Sequence, residues 1–274
     1  MKKLIIALSA LAVSAVSASA ADMALKAPPP VVYDSWTGFY AGLNAGGTWG
    51  NSNLSATPAD PGTTAFFAPC FAAGACPRDY GHNTGSSGEF GGQIGYNWQI
   101  NTVVLGVESD IQWTDVKSVG SVALTNGANG FVPFTGTASS KLDWFGTTRA
   151  RLGFLVTPTV LLYGTAGVAY GSVSESFTHT FAATAQNVVG SDRETKTGWV
   201  AGVGAEWKLQ RNWLVGVEYL HMELDSSSFG ATGLGSVGCT ALNCNFNVSS
   251  RRFETDTVRA RVSYQFGGPI VARY

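Results

Sequence analysis

Apolar and polar side chains alternate along this chain in segments of about ten residues, which are separated by stretches rich in Gly, Ser, Asn and Thr. This alternation is typical of β-strands that have one apolar and one polar face. It predicts eight strands, which span residues 36–49 (β1), 88–100 (β2), 103–113 (β3), 141–156 (β4), 159–171 (β5), 196–209 (β6), 212–224 (β7) and 252–266 (β8).

The connections between these strands alternate in length. Residues 101–102, 157–158 and 210–211 form minimal turns, whereas residues 50–87, 114–140, 172–195 and 225–251 form long loops. Membrane barrels of the outer-membrane type have short periplasmic turns and long extracellular loops. The pattern therefore predicts an all-β fold, an eight-stranded antiparallel transmembrane β-barrel with four long extracellular loops. An even number of strands places both termini in the periplasm.

The two faces of the predicted strands differ in character. One face of β4 carries Leu142, Trp144, Thr148, Ala150, Leu152 and Phe154, and one face of β8 carries Val258, Ala260, Val262, Tyr264 and Phe266. Aromatic residues bracket the lipid-facing side of four strands, as the pairs Phe39/Trp49, Phe90/Trp98, Trp144/Phe154 and Trp199/Trp207. Eight to ten tilted strand residues span roughly 19–23 Å along the membrane normal, close to the ~25 Å apolar band of such barrels. A water-soluble β-sandwich is the weaker alternative, because it would expose an Arg-rich face.

The opposite faces supply an unusual set of charges to the predicted interior. They carry Glu108 and Asp110 (β3), Arg149 and Arg151 (β4), Glu206 and Lys208 (β6), Glu218 (β7), and Arg259 and Arg261 (β8). The interior of an eight-stranded barrel is just wide enough for side chains to fill it. Our hypothesis is an Arg/Glu network that plugs the lumen. The alternative is that the same charges line a narrow ion path.

The N-terminus and the composition favour an exported protein. Residues 1–20 combine Lys2 and Lys3, an apolar run and a small-residue cleavage site at residues 18–20, which predicts a Sec signal peptide cleaved after Ala20. Residues 21–35 are then a Pro-rich periplasmic lead-in, residues 36–266 the barrel and residues 267–274 a short tail. Charged residues make up 13% of the chain, against ~25% in soluble domains. Removal of Lys2 and Lys3 leaves 15 basic against 18 acidic residues, and no basic excess indicates a nucleic-acid partner.

Two terminal motifs carry a resemblance to a known family. The stretch from Ala27 to Pro30, followed by Trp36-Thr37-Gly38-Phe39-Tyr40, and the ending Arg261-Val262-Ser263-Tyr264-Gln265-Phe266 resemble small outer-membrane barrels of alpha-proteobacteria, including rhizobia, Brucella and Bartonella. The resemblance implies an eight-stranded barrel, similar in architecture to the OmpA membrane domain, with structural and surface roles. Eight residues follow Phe266, so either Phe266 or Tyr274 is the aromatic that the assembly machinery recognises.

Four basic residues are predicted at the extracellular rim, where even-numbered strands begin: Lys141, Lys196, Arg251 and Arg252. Lipopolysaccharide presents phosphates at this height, and Lys and Arg are natural phosphate partners. We therefore expect a rim that contacts lipopolysaccharide, with simple solubilisation as the alternative. The other expected partners are outer-membrane lipid and, during biogenesis, periplasmic chaperones and the barrel-assembly machinery.

The four cysteines form two close pairs in the first and fourth long loops, Cys70/Cys76 and Cys239/Cys244. In an oxidising compartment these pairs predict disulfides, most simply one within each loop. Bridges between the two loops are an alternative, because β8 closes against β1. A metal site built from Cys70, Cys76 and His82 lacks a standard ligand spacing.

The sequence offers little for catalysis, and we expect neither an enzyme nor a cofactor. His221, Glu223 and Ser226 are the one combination of base, orienting group and nucleophile, but His221 fits better as part of the aromatic girdle. Two function classes remain. The first is a structural outer-membrane protein that supports the envelope and presents surface loops. The second is a receptor or adhesin that uses its loops, for example a hemin binder with His82 and His179 as ligands.

Overall fold

The computed structural model describes residues 32–33, 35–80, 84–124, 133–182, 186–209, 212–234, 243–266 and 270–271. The predicted signal peptide and most of the predicted lead-in and tail lie outside these ranges. Val32–Tyr33 and Ile270–Val271, from the lead-in and the tail, pair as a small antiparallel sheet. In the described ranges, no helix has both the length and the apolar character needed to cross a membrane.

Eight long strands form a closed antiparallel ring, as the sequence predicts. Each pairs with its neighbours in the chain, and β8 pairs with β1 to close the barrel. Their bounds are β1 Gly38–Asn51, β2 Gly85–Ile100, β3 Val103–Leu124, β4 Phe134–Thr157, β5 Val160–Phe181, β6 Gln186–Leu209, β7 Trp213–Leu224 and β8 Phe253–Phe266. We call the end with the tight turns the short-turn end and the opposite end the long-loop end.

Two of the predicted long loops are largely strand, which corrects the sequence analysis. β3 and β4 continue to Leu124 and Phe134, and β5 and β6 continue to Phe181 and Gln186. The pairing of β3 with β4 reaches Leu124 and Phe134 with one register shift, between Trp113 and Val116, and the pairing of β5 with β6 reaches Phe181 and Gln186 without a shift. The outward face of these extensions is rich in Ser and Thr, which resembles the composition of a loop. An antiparallel sheet with one solvated face has this composition.

The first and fourth long loops also contain regular structure. Leu54–Pro58 pairs with Asn243–Ser250, which pairs in turn with Ser227–Leu234. Ser227–Leu234 then joins the extension of β6 through Val188 and Val189. These three loop strands extend the sheet sideways at the long-loop end.

One helix, α1 (Pro61–Ala72), lies in the first loop after Leu54–Pro58. Pro61 stands at the first helical position, where its missing N–H removes no helical hydrogen bond. Asp60 is the N-cap, and its carboxylate accepts a hydrogen bond from the Thr63 N–H at 2.9 Å. The carboxylate also accepts hydrogen bonds from the Thr63 hydroxyl and from the Asn245 side-chain amide. The backbone and side-chain bonds from Thr63 contribute most to lowering the pKa of Asp60. α1 is thereby fixed to the loop strand that contains Asn245.

A β-bulge near the long-loop end reverses the face pattern of β4. The register of β4 against β5 shifts between Leu142 and Trp144. Leu142 is consequently buried inside the barrel, which corrects its predicted position on the outward face. An inserted residue changes side-chain parity, and strand alternation alone does not reveal where this occurs.

Outside the barrel, aromatic rings form two belts. Seven of the eight predicted bracketing residues are between 43% and 65% exposed: Phe39, Trp49, Phe90, Trp98, Phe154, Trp199 and Trp207. Trp144, the eighth, is half-buried beside Tyr170. Trp113, which is paired with Trp144, and Trp213 add to the two belts. Exposed apolar side chains such as Leu43, Ile94 and Val203 fill the band between them.

Candidate functional site

Oppositely charged side chains face each other on two walls of the barrel interior. Glu108 of β3 lies directly opposite Arg149 of β4, with a carboxylate–guanidinium distance of 2.5 Å. Glu218 of β7 lies directly opposite Arg259 of β8 at 2.6 Å. All four side chains have no exposed surface. Each pair follows from the register of neighbouring strands.

Further ion pairs cross the lumen and join the two walls. Arg149 reaches Glu218 at 3.0 Å, and Arg259 reaches Asp110 at 2.7 Å. Arg261 contacts Glu108 from the other wall. Arg151 and Arg261 both bind Glu206, at 3.0 and 3.1 Å. We call this group the charge cluster: Arg149, Arg151, Arg259, Arg261, Glu108, Asp110, Glu206 and Glu218.

The charge cluster holds four guanidinium groups and four carboxylates, so its formal charges cancel. Burial of an unpaired charge is very costly, but burial of a well-paired and hydrogen-bonded set is tolerated. Eight of the nine predicted lumen residues belong to it. The geometry thus brings together the Arg/Glu network that strand parity predicted.

Two buried tyrosines complete the cluster, and a sequence pattern of charged residues does not include them. The Tyr40 hydroxyl donates to Glu108 at 2.7 Å, and the Tyr163 hydroxyl donates to Glu218 at 3.0 Å. Each ring lies over the glycine directly opposite it on the next strand, Gly95 for Tyr40 and Gly204 for Tyr163. A Cβ atom at either glycine would collide with the ring, so only glycine fits there. Inward parity next to a glycine in the paired strand is the signal that could have identified them.

β2 contributes amide and carboxyl groups that were also missed. The Gln93 side chain accepts a hydrogen bond from Asn44 at 2.5 Å and donates one to Ser263 at 3.0 Å. Glu89, on the same face of β2, is also buried. Both positions follow the inward parity of β2, so the sequence contained the necessary information.

Lys208 is buried in the lumen, as predicted, and lies nearer the short-turn end than the charge cluster. Its ammonium donates to the Ser35 carbonyl at 2.6 Å and lies 5.8 Å from the Trp36 ring centre. Trp36 precedes β1 rather than belonging to it. Its side chain is fully buried at the short-turn end, where the indole N–H donates to the Pro158 carbonyl at 3.1 Å.

The buried side chains of the interior form successive layers along the barrel. Nearest the short-turn end is a cap of Trp36, Val104, Leu155, Leu161, Tyr163 and Leu214, followed by the charge cluster. Beyond it lies an apolar layer of Val116, Leu142, Phe145, Ala169, Val173, Val200, Leu220, Met222, Leu224 and Phe253. The next layer is polar and centres on Glu175, which binds Lys196 at 2.8 Å and accepts a hydrogen bond from Ser227 at 2.9 Å.

At the long-loop end the interior becomes aromatic. Buried residues from the strand extensions, α1 and the loop strands form one cluster, the tip core: Leu54, Ala56, Phe67, Cys70, Cys76, Tyr80, Phe134, Ala138, Phe177, Phe181, Val188, Phe229, Ala231, Cys244, Phe246 and Val248. The two edge-on contacts Phe67–Phe246 and Tyr80–Phe177 have ring centres 5.2 and 5.1 Å apart. The extensions therefore fold around a hydrophobic core of their own.

His179 lies on β5 within the tip core, whereas the sequence placed it in the long loop 172–195. Its ring stacks on Phe134 at 4.3 Å, and its Nδ1 lies 3.2 Å from the Tyr80 hydroxyl. Burial lowers the pKa of His179 to about 4. His82, the other proposed hemin ligand, lies outside the described residues.

The cysteine pairing within the first loop is confirmed. Cys70 of α1 and Cys76 form a disulfide with a Cα–Cα distance of 5.3 Å. Their sulfurs are therefore not free thiolates for the metal site considered with His82. Cys244 is also disulfide-bonded, whereas Cys239 lies outside the described residues.

The four predicted rim residues do not form one surface. Lys196 is buried in the polar layer, because it shares the inward parity of Glu206 and Lys208, so its assignment to the rim is wrong. Lys141 is half-exposed and binds Asp115 and Asp143 at 2.7 and 3.0 Å. Arg251 is exposed, and Arg252 binds Glu223 at 2.6 Å.

His221 and Glu223 have separate partners. His221 Nδ1 lies 2.9 Å from the Asp256 carboxylate, and its ring lies 5.4 Å from that of Trp199. Glu223 pairs with Arg252, and Ser226 is exposed. The three residues considered for catalysis therefore do not form a hydrogen-bonded triad. His221 lies beside Trp199, in the aromatic belt nearer the long-loop end.

Two known outer-membrane proteins are similar to this chain in sequence. The 31 kDa outer-membrane immunogenic protein of Brucella melitensis biotype 1 is 37% identical over 278 residues, covering 97% of this chain and all of the relative. The 22 kDa outer membrane protein of Rhizobium leguminosarum bv. viciae is 32% identical over 155 residues, 55% of this chain and 60% of the relative. The crystal structure of OprG from Pseudomonas aeruginosa aligns with a TM-score of 0.44 at 12% identity, over 84% of this chain and 97% of OprG.

A family model described as "Outer membrane protein beta-barrel domain" matches residues 8–266. This match covers the closed ring, the charge cluster and the tip core together. With two aromatic belts around an outward apolar band, the chain is a member of the outer-membrane β-barrel family and is related to outer-membrane proteins of Brucella and Rhizobium.

Proposed function

We propose that this protein is a structural outer-membrane barrel with a closed lumen, which supports the envelope and presents a folded surface at its long-loop end. The observation that carries the proposal is the charge cluster, in which ion pairs such as Arg149–Glu218 and Arg259–Asp110 span the interior. The short-turn cap, the apolar layer and the tip core support it, because each places buried side chains across the interior at a different height.

Planar-bilayer recording of the purified, folded protein tests the closed lumen. We expect no steady conductance, because a permeating ion would have to pass both the charge cluster and the apolar layer. A porin recorded in the same bilayer is the positive control, and heat-modifiable gel migration verifies that the barrel is folded. Steady conductance of porin size, or a smaller ion-selective conductance, would contradict the proposal and favour the ion path.

We also propose that the chain is exported through the Sec pathway, that cleavage follows Ala20, and that both termini are periplasmic. The alternation of minimal turns and long hairpins supports this orientation. Intact-mass measurement of the purified protein should give a chain that begins at Ala21. A protease recognition sequence inserted within residues 125–132, between β3 and β4, should be cleaved when the protease is added to intact cells. Cleavage only after the outer membrane has been opened would reverse the orientation.

The envelope role is tested with a strain that lacks this chain. We expect increased sensitivity to detergent, restored by the full-length gene, because the barrel occupies and stabilises outer-membrane lipid. Periplasmic chaperones and the barrel-assembly machinery are the partners expected during biogenesis. If the deletion strain keeps normal detergent resistance but no longer binds a ligand that wild-type cells bind at their surface, the receptor or adhesin is favoured.

A further inference from the structure

A row of alanines crosses the outward face of the barrel between the aromatic belts. Ala150 of β4, Ala166 of β5 and Ala201 of β6 occupy directly opposed positions, and all three face outward. The row continues into His221 of β7 and Asp256 of β8, which are also directly opposed. We call Ala150, Ala166 and Ala201 the alanine row. The outer surface of the barrel is therefore low along one line and polar where that line ends.

Larger side chains on both sides turn the alanine row into a groove of about 860 Å³. They belong to the two neighbouring rows of outward residues: Leu152, Val203 and Tyr219 towards the short-turn end, and Trp199 towards the long-loop end. Arg151 and Thr165 also line the groove, but their side chains are buried on the lumen side. The outward side chains of the groove are apolar until it reaches Tyr219 and His221. We call it the alanine groove.

The alanine row rises from the middle of the membrane to its interface. Ala150 lies between Trp144 and Phe154, which stand in opposite belts. Asp256 lies directly opposite Trp49, in the belt nearer the long-loop end. Strands of such barrels are inclined by ~35–45° to the membrane normal, so a row perpendicular to them is inclined as well. Four strand spacings of ~4.8 Å then give a rise of roughly 11–14 Å, which is about half of the ~25 Å apolar band. The groove therefore has the depth of one lipid leaflet.

The polar end of the groove presents a carboxylate at the membrane interface. Asp256 Oδ1 accepts hydrogen bonds from the Tyr219 hydroxyl at 2.6 Å and from His221 Nδ1 at 2.9 Å. Both bonds end on Oδ1, and Oδ2 has no partner among the described residues. The Asp256 side chain is 50% exposed. Two neighbours thus fix the carboxylate and leave its second oxygen for a ligand.

The charges around Asp256 are predominantly negative. Among the described residues, the charged side chains at the long-loop ends of β7 and β8 are Glu223, Asp225, Glu254, Asp256, Arg251 and Arg252. Four carboxylates against two guanidinium groups give a net charge of −2, or −1 when His221 is protonated. β1 carries no charged residue, and the two nearest cations of β6, Lys196 and Arg193, already have carboxylate partners. A cationic group is therefore attracted to this end of the groove, and an anion is repelled.

We infer that the alanine groove binds a membrane lipid whose headgroup carries an ammonium group. One acyl chain lies along the alanine row, and the ammonium group contacts Asp256 Oδ2. Trp49, directly opposite Asp256, adds to the attraction because cations are drawn to the faces of indole rings. A membrane lipid is the occupant because an apolar groove of one leaflet's depth ends in a carboxylate at headgroup height. The inference concerns the outer face of the barrel, so it depends neither on the closed lumen nor on the proposed orientation.

The headgroup contact is tested by titrating lipids into the purified, detergent-folded protein and measuring the bound fraction by native mass spectrometry. The probes are phosphatidylethanolamine and phosphatidylglycerol with the same acyl chains, of which only the first carries an ammonium group. A partly exposed ion pair shifts an equilibrium by up to about fivefold. We therefore expect the wild type to bind phosphatidylethanolamine about fivefold more tightly than phosphatidylglycerol. Equal affinity for the two lipids would overturn the inference.

The variant D256N/E254Q removes two negative charges and retains a side-chain oxygen that can accept the Tyr219 hydrogen bond. Its affinity for phosphatidylethanolamine should fall about fivefold, to the level of phosphatidylglycerol, whose own binding should not weaken. The matched control, D115N/D143N, removes two carboxylates near the long-loop end of β3 and β4 and should stay within about twofold of the wild type. Equal weakening by both double variants, or by neither, would contradict the headgroup contact.

The groove itself is tested with A166L, which fills the middle of the alanine row. Because the larger side chain occupies the space of the acyl chain, both lipids should bind at least about fivefold more weakly. The control A260L places the same side chain on the outward face of β8, outside the groove, and should stay within about twofold. Heat-modifiable gel migration verifies that each variant is folded. Unchanged binding by A166L would overturn the inference, and displacement of the lipid by millimolar ethanolamine would assign Asp256 to a free amine instead.

Discussion

The two halves of the interior are built in opposite ways. At the height of the charge cluster the interior is ionic and the exterior apolar, whereas at the long-loop end the interior is aromatic and the exterior rich in Ser and Thr. The same strands build both regions: β4 carries Arg149 and Arg151 inward in one and Phe134 and Ala138 inward in the other.

The difference shows how the surroundings select the core. In hydrocarbon, apolar side chains gain nothing by turning inward, so polar contacts must hold the interior together. In water, burial of apolar surface is the main driving force, and aromatic residues supply it. The reversal takes place close to the bulge between Leu142 and Trp144. Each region can therefore be perturbed separately.

The largest effect is expected from Glu108→Ala in the charge cluster. Glu108 contacts Arg149, Arg151 and Arg261, so its removal leaves four buried guanidinium groups with three carboxylates and one positive charge uncompensated. The free energy of unfolding should fall by about 3–5 kcal/mol, measured by urea titration of tryptophan fluorescence in lipid vesicles. Glu223→Ala is the control, because its partner Arg252 is 67% exposed, and it should cost at most about 1 kcal/mol. Equal losses would show that the lumen is hydrated.

Acidification should open the long-loop end before the barrel. Burial lowers the pKa of His179 to about 4, below the ~6.5 of a free histidine. The neutral His179 ring therefore contributes its full stabilisation above pH ~6.5. The free energy of unfolding of the tip core falls as the pH is lowered from there towards 4, and the total loss is roughly 3 kcal/mol.

Hydrogen exchange, corrected for intrinsic rates, measures this effect. Between pH 7.5 and 4.5, amides at residues 177–181 should lose protection, whereas those at residues 165–169 should keep it. His179→Leu should remove the pH dependence of residues 177–181. If the variant responds to acid as the wild type does, another group is responsible.

The smallest effect is expected from the loss of the Cys70–Cys76 disulfide. The bond closes a loop of only seven residues. Its removal in the variant Cys70→Ala/Cys76→Ala should therefore lower the free energy of local unfolding of α1 by about 2 kcal/mol. Faster proteolysis should be confined to α1 and its flanks, with unchanged urea unfolding of the barrel. A lower urea midpoint for the whole barrel would show that the two regions unfold as one unit.

Strand parity was sufficient to predict the closed ring and eight members of the charge cluster, because every inward residue of a barrel strand faces the same small lumen. The same rule also places Lys196 inward, and it was overlooked because the position of Lys196 near a strand end suggested a rim. Tyr40 and Tyr163 were missed because a tyrosine is not a charge, although their hydroxyls are buried next to charges.

The strand extensions could not be predicted from the alternation of membrane strands, in which the outward residues are apolar. Their outward residues, such as Ser139 and Ser176, are polar and small, and their inward aromatics pack against a helix and loop strands far away in the sequence. The bulge at β4 moved Leu142 from one face to the other. Such features depend on long-range packing, which local sequence does not encode.

The uninterrupted passage of β3 to β6 from one region into the other has a consequence for recognition. A phage or antibody that binds the tip meets a stiff platform with fixed geometry, built from residues distant in sequence, rather than four independent flexible tethers. Linear peptides copied from residues 114–140 or 172–195 would lack that geometry. Antibodies raised against the folded protein should therefore bind such peptides poorly.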